Sequence, residues 1–138
     1  CPSSDKRPRD GKLSTVSDRA MVRLPMPPSA NVMWRSDFYK KRVLVSRAGR
    51  IFRDECAPIL AKYRNPLEGP VSLTAEFYFK NKLVRVDLDN RIKPLLDVCQ
   101  RTEYNTGLYV DDAQIMAIHA YKYFDPDRPR VEVTVVAL

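Results

Sequence analysis

The sequence predicts a single small domain that mixes strands and helices, on three observations. At 138 residues, 44% of them hydrophobic, the chain fits one domain with a real core. Val71 to Lys80 alternates apolar and polar residues with the period of a half-buried strand. Ile92, Leu95, Leu96 and Cys99 recur at three- and four-residue spacing, as on one side of a helix.

Taken in order, residues 1–20 are polar, rich in Ser, Pro and charge, and without periodicity, so a disordered or mobile tail is expected there. An initial Cys fits a fragment, and Met21 is a sensible start for the domain at 21–138. Ala20 to Leu24 reads as a short strand, stopped by Pro25, Pro27 and Pro28. A loop with Ser29, Asn31 and Trp34 follows. Arg42 to Val45 suits a strand, and Ser46 suits the cap of a helix to about Tyr63 that Pro58 kinks or interrupts. Turns at Asn65-Pro66 and Gly69-Pro70 lead into the alternating strand. The next helix is expected to end near Arg101 or Thr102, with Asn105 and Gly107 as turn residues. Asp111 and Asp112 then open a strand to Phe124. Asp125-Pro126-Asp127 turns it back into Arg130 to Ala137, so that two paired strands close the domain.

Composition narrows the function classes. Lys and Arg number 24 against 17 Asp and Glu, a net charge of +7, of which the tail carries +2. An anionic partner follows, with nucleic acid first. Cys1, Cys56 and Cys99 lack metal-ligand spacing and are odd in number, which reads as a reduced, intracellular, cytoplasmic protein. His119 is the one histidine, which argues against a Cys/His zinc site and a Ser-His-Asp triad; within its strand it reads as structural. No apolar run approaches the roughly 18 residues of a membrane span, and no signal peptide is visible.

The chemistry concentrates in RVDLDNRIKPLLD, Arg85 to Asp97. Asp87 and Asp89 are two apart, so an extended backbone sends both carboxylates to one side. Asp89 or Asn90 suits the N-cap of the helix, and Lys93 and Asp97 follow Asp89 at steps of four, stacked along it. Crowded carboxylates repel unless a positive charge lies between them, and a site built from Asp suits magnesium better than zinc. The same residues also suit a plain helix cap beside a surface ion pair. Upstream, Arg35, Lys40, Lys41, Arg42, Arg47, Arg50 and Arg53 stand against Asp37 alone, interleaved with Trp34, Phe38, Tyr39 and Phe52. Such a stretch can hold phosphates and stack on bases, or be a solvated face with its aromatics turned inward.

Three strings in one order, LPMPPSANVMWR at Leu24 to Arg35, DLDNRIKPLLD at Asp87 to Asp97 and YVDDAQI at Tyr109 to Ile115, resemble the RusA family of Holliday junction resolvases. The resemblance runs from about Met21 to the C-terminus. It implies a small α+β subunit, a mixed β-sheet with two main helices packed on it, that works as a homodimer. The implied activity is a crossover junction endodeoxyribonuclease that resolves four-way DNA by paired nicks in recombination and repair. It would depend on Mg2+, one or two ions per subunit with Mn2+ able to substitute, and need no organic cofactor and no membrane. The family's essential acids fall on Asp87, Asp89 and Asp112, as catalytic and metal-binding residues, and its essential lysine on Lys93. Asp97 and Asp111 match further acidic positions, and Arg35, Lys40, Lys41, Arg42, Arg85 and Arg91 are the expected DNA contacts. Two departures stand out: Arg91 occupies a position usually apolar in the family, and the segment 98–110 looks longer than the usual helix and turn. Two other readings stay open: a non-catalytic branched-DNA-binding protein, and a nuclease acting on forks or flaps.

Overall fold

The computed structural model describes residues 18–37, 42–82, 87–102 and 107–138; of residues 31, 32, 34–37 and 42–44 it describes the backbone alone. The expected tail up to residue 17 lies outside these residues.

The alternating stretch forms β4 (Val71–Phe79), and its periodicity becomes burial: Val71, Leu73, Ala75 and Phe77 are fully enclosed, while the residues between them are half-buried on the other face. It is a central strand of a four-stranded mixed sheet with β1 (Arg19–Leu24), β5 (Ile115–Phe124) and β6 (Arg130–Ala137), in the order β1-β6-β4-β5. β6 runs antiparallel to both neighbours, with Thr134 opposite Met21 on one side and Thr74 on the other. β5 runs parallel to β4 and, among the described residues, has no strand on its far side.

This order corrects the expected closing hairpin. β5 and β6 do not pair with each other, because β4 lies between them and serves both. The turn after Phe124 therefore steps across the end of β4, where the Asp125 N–H donates to the Phe79 carbonyl at 2.8 Å. Hydropathy in β5 and β6 is unchanged by which neighbour each takes, so the pattern carried no sign of the insertion.

The proline-rich segment after β1 leads into a short helix, α1 (Ala30–Met33), where a loop was expected, and then into a ribbon of β2 (Trp34–Asp37) and β3 (Arg42–Val45). α2 (Arg47–Leu60) starts as expected: the Ser46 hydroxyl accepts from the Gly49 N–H at 3.1 Å. Gly49 is required by proximity, since a Cβ there would lie 2.8 Å from the Met33 carbonyl oxygen. The helix runs through Pro58, with the Ala61 N–H still reaching the Ala57 carbonyl at 2.9 Å, and stops short of Tyr63. Phe52, Cys56 and Leu60 from α2 pack with Leu95, Val98 and Cys99 from α3 (Asp89–Cys99) and with Val22, Leu73, Phe77, Val131 and Val133 of the sheet. Both main helices thus cover one face of the sheet, as an α+β domain requires.

Candidate active site

Parallel β4 and β5 need a crossover connection, and α3 provides it, with the expected acids at its two ends. Its start differs from the sequence reading. Leu88 already has helical torsions (φ −59°, ψ −37°), the Asn90 N–H reaches the Asp87 carbonyl at 3.2 Å, and the Ile92 N–H reaches that of Leu88 at 3.1 Å. Asp89 is therefore the first helical residue and not the N-cap, and no side chain caps this end. An acid is favoured in the first turn by the helix dipole as well as at a cap, which is why the sequence could not separate the two. Asp87 lies just outside the helix and Asp89 in its first turn, so the two do not share the extended backbone that the sequence reading assumed. Both are exposed.

At the other end α3 stops at Cys99, earlier than expected, and Gln100 is extended. The chain comes back against it at Gly107, whose φ of +75° and close approach leave no room for a side chain: a Cβ would sit 2.6 Å from the Arg101 nitrogen and 2.8 Å from the Cys99 oxygen. Leu108 N–H donates to Cys99 and Arg101 N–H to Tyr109, each at 2.8 Å, so residues 99–101 and 108–109 run side by side. Tyr109 is fully buried and its hydroxyl donates to the Leu96 carbonyl at 2.8 Å; burial pushes its own pKa far up, so it remains a donor.

Asp111 and Asp112 do not open β5 directly. A 3-10 turn, Asp112–Gln114, intervenes, with Asp111 as its N-cap accepting from the Ala113 N–H at 2.9 Å. The Asp112 N–H donates to the Gln100 side-chain oxygen at 2.9 Å, which seats Asp112 beside α3. Its carboxylate then lies 3.7 Å from Lys93 Nζ, and Lys93 donates to Asp97 at 3.0 Å one turn along the helix. The hydrogen bond and charge of Asp97, followed by Asp112, hold the Lys93 ammonium above its ordinary pKa against a small loss of hydration. Lys93, Asp97 and Asp112 are thus brought together as a cation between two carboxylates. Among the described residues no three His, Cys, Asp or Glu side chains stand close enough to share a metal ion, so Asp87 and Asp89 are not gathered with Asp112 into one cluster. The donor chemistry still fits a hard cation, since magnesium is commonly held by one or two carboxylates with waters and a substrate oxygen.

Of the expected DNA contacts, Lys40, Lys41 and Arg85 lie outside the described residues, and Arg35 and Arg42 are described only as backbone in β2 and β3. Arg91 has a role that the sequence reading did not assign. Its guanidinium is part-buried, donates to the Pro27 carbonyl at 2.5 Å and lies 5.8 Å over the Phe79 ring, with Nε enclosed and unbonded. It ties the proline segment to the start of α3.

A basic and aromatic cleft went unnoticed in the sequence. Lys82, Lys122, Tyr123 and Phe124 join Phe79 and Asn81 around about 210 Å³, with Lys82 Nζ 5.5 Å over the Phe124 ring. Its signal lay in β5, where the run Tyr121-Lys122-Tyr123-Phe124 is exposed throughout. Cys56 and Cys99 are buried free thiols; burial pushes Cys56 up to about 12 and Cys99 up as well, so both are packing groups and not nucleophiles. No helix among the described residues is long and apolar enough to cross a membrane. In comparisons with known proteins, a family model described as endodeoxyribonuclease RusA matches residues 25–136, most of the chain. No curated protein matches.

Proposed function

The chain belongs to the RusA family of endodeoxyribonucleases, and from that premise we propose that it is a divalent-metal-dependent nuclease that resolves four-way DNA junctions by paired nicks in recombination and repair. The observation that most supports this reading is the meeting of Lys93 and Asp112, from segments far apart in the chain, at 3.7 Å on an exposed surface. A helix cap with an incidental ion pair has no need of Asp112.

In this reading magnesium, or manganese in its place, would be held by one or two of Asp87, Asp89 and Asp112 together with waters and a substrate oxygen. Once bound, the ion would polarise the scissile phosphate and make an attacking water more acidic. Lys93, kept protonated by Asp97 and Asp112, stands ready to neutralise charge that develops on the phosphate oxygens. Asp97 holds the lysine in place and need not touch the substrate. The cations of β2, β3 and the Lys82 cleft would take the backbone of the junction arms, which makes affinity fall steeply with salt.

Paired nicks need two sites, and the described residues of one chain offer a single set of such acids around α3. A homodimer supplies the second about a two-fold axis. The exposed side chains of Met116, Ile118, Tyr121 and Phe124 on β5 are apolar material for such an interface.

The test is to incubate labelled four-way junction, Y-fork and linear duplex with and without magnesium, using the native chain and Lys93→Ala. Symmetric nicks confined to the junction and to the magnesium arm are expected. Lys93→Ala should cut about 10² to 10³ times more slowly with junction affinity retained. Binding without cleavage in every arm would establish the non-catalytic alternative, and cutting of forks in preference would change the substrate.

A further inference from the structure

We propose that Gln114 is a positioning residue for Asp112, fixing where that acid stands relative to Lys93 by clamping the backbone on either side of the site. The inference rests on the reading above that Asp112 belongs to the nuclease centre.

A primary amide can accept two hydrogen bonds at its oxygen and donate two from its nitrogen. Gln114 makes all four. Oε1 accepts from the Val110 and Asp111 N–H groups, both at 2.8 Å, and Nε2 donates to the Leu67 carbonyl at 2.9 Å and the Gly69 carbonyl at 2.8 Å. The first pair are the two residues that precede Asp112. The second pair belong to the segment that enters the central strand β4, where the Leu67 N–H also donates to the Leu108 carbonyl at 2.9 Å. One side chain therefore fastens the acidic turn to the entry of the most deeply buried strand.

The clamp leaves the carboxylate of Asp112 unengaged by the turn. Asp111 is consumed as the cap of the turn, bonding Ala113, and the Asp112 N–H is consumed by Gln100. What remains of Asp112 is the carboxylate, held 3.7 Å from Lys93 Nζ. Glutamine is the side chain that this geometry needs: glutamate at 114 would set an oxygen against two carbonyls, and methionine of similar length would leave four backbone groups without this partner.

The experiment compares the native chain with Gln114→Met and Gln114→Glu in two readouts. The first needs no nuclease activity: amide exchange at Val110 and Asp111 in metal-free protein. Gln114→Met should speed exchange at both amides about tenfold, the loss of a hydrogen bond each, while β4 amides stay protected. The second is single-turnover junction cleavage across magnesium concentration. A fall of about a hundredfold is expected, partly recovered at high magnesium, with junction affinity unchanged. Gln114→Glu keeps the acceptor half and loses only the donors to Leu67 and Gly69, so exchange at Val110 and Asp111 should rise less, which serves if the methionine variant does not fold. Unchanged exchange at Val110 and Asp111 would overturn the proposal, as would protection lost equally throughout β4. If exchange at the two amides speeds up but Asp112→Asn itself cuts normally, the clamp stands and the assignment of Asp112 to the nuclease centre is what fails.

Discussion

Asp89 and Asp112, the two acids expected to serve one centre, sit on backbones held by different means. Around Asp89 the helix starts with no side-chain cap, and Asp87 and Asp89 both project into solvent. Around Asp112 nearly every nearby polar group is spoken for: Gln100 takes its N–H, Gln114 takes those of Val110 and Asp111, and Tyr109 is locked to α3 beneath. The difference teaches that the two halves should fail differently. Changes at the helix start should alter chemistry and spare the fold, whereas changes under the Asp112 turn should alter the fold first and chemistry through it.

Asp89→Asn should have the largest effect on activity and the smallest on stability. Junction cleavage should be lost, junction affinity kept or raised because a negative charge facing phosphates is removed, and stability should stay within about 0.5 kcal/mol, as for other exposed positions. Single-turnover cleavage, a gel-shift titration and a urea melt check this. Parallel loss of binding and stability would place Asp89 in the anchored class and break the comparison.

Gly107→Ala should do the reverse. A positive φ and a Cβ pressed on three backbone atoms leave no easy relaxation, so a cost of about 3 kcal/mol is expected in a urea melt. A melt like that of the native chain would mean that the Asp112 turn is not anchored at this contact.

A third carboxylate sharpens the contrast, because it is held by charge. Asp125 pairs with Arg130 at 2.8 Å and accepts from the Asp127 and Arg128 N–H groups, and the bond to Arg130 draws its pKa below the usual carboxylate range. A depressed folded pKa contributes stability that is present above the unfolded value of about 3.9 and is lost as pH falls through the lower folded value. The Tm gap between the native chain and Asp125→Asn should be small at pH 7 and close below about pH 3.9. A gap that stays constant through that window would remove the ion pair as its cause.

Much of the frame could be read from local chemistry. β4 was legible because one face is buried and the other is not, and Ser46 because a hydroxyl before a periodic segment has few other uses. The pairing of Lys93 with Asp97 followed from a step of four. What was not legible depended on distant partners. That β4 parts β5 from β6 is a matter of which edge is open, and neither strand's own residues encode it. Gln114 and Gln100 looked like ordinary polar residues because their bonds reach residues elsewhere in the chain. The length and charge of Arg91 likewise give no hint that it donates to the Pro27 carbonyl.

The position of β6 bears on how the chain comes off the ribosome. It is the last of these elements to be synthesised, yet it pairs with both β1 and β4 and sits inside the sheet. Until it emerges, β1 has no strand to join and one edge of β4 stays open, although the whole acidic apparatus has already been translated. Such non-local pairing is slow to form and leaves strand edges available to other chains. Assembly of the sheet therefore waits on β6, and a nascent chain stalled before Arg130 carries Lys93, Asp97 and Asp112 on an unfinished sheet.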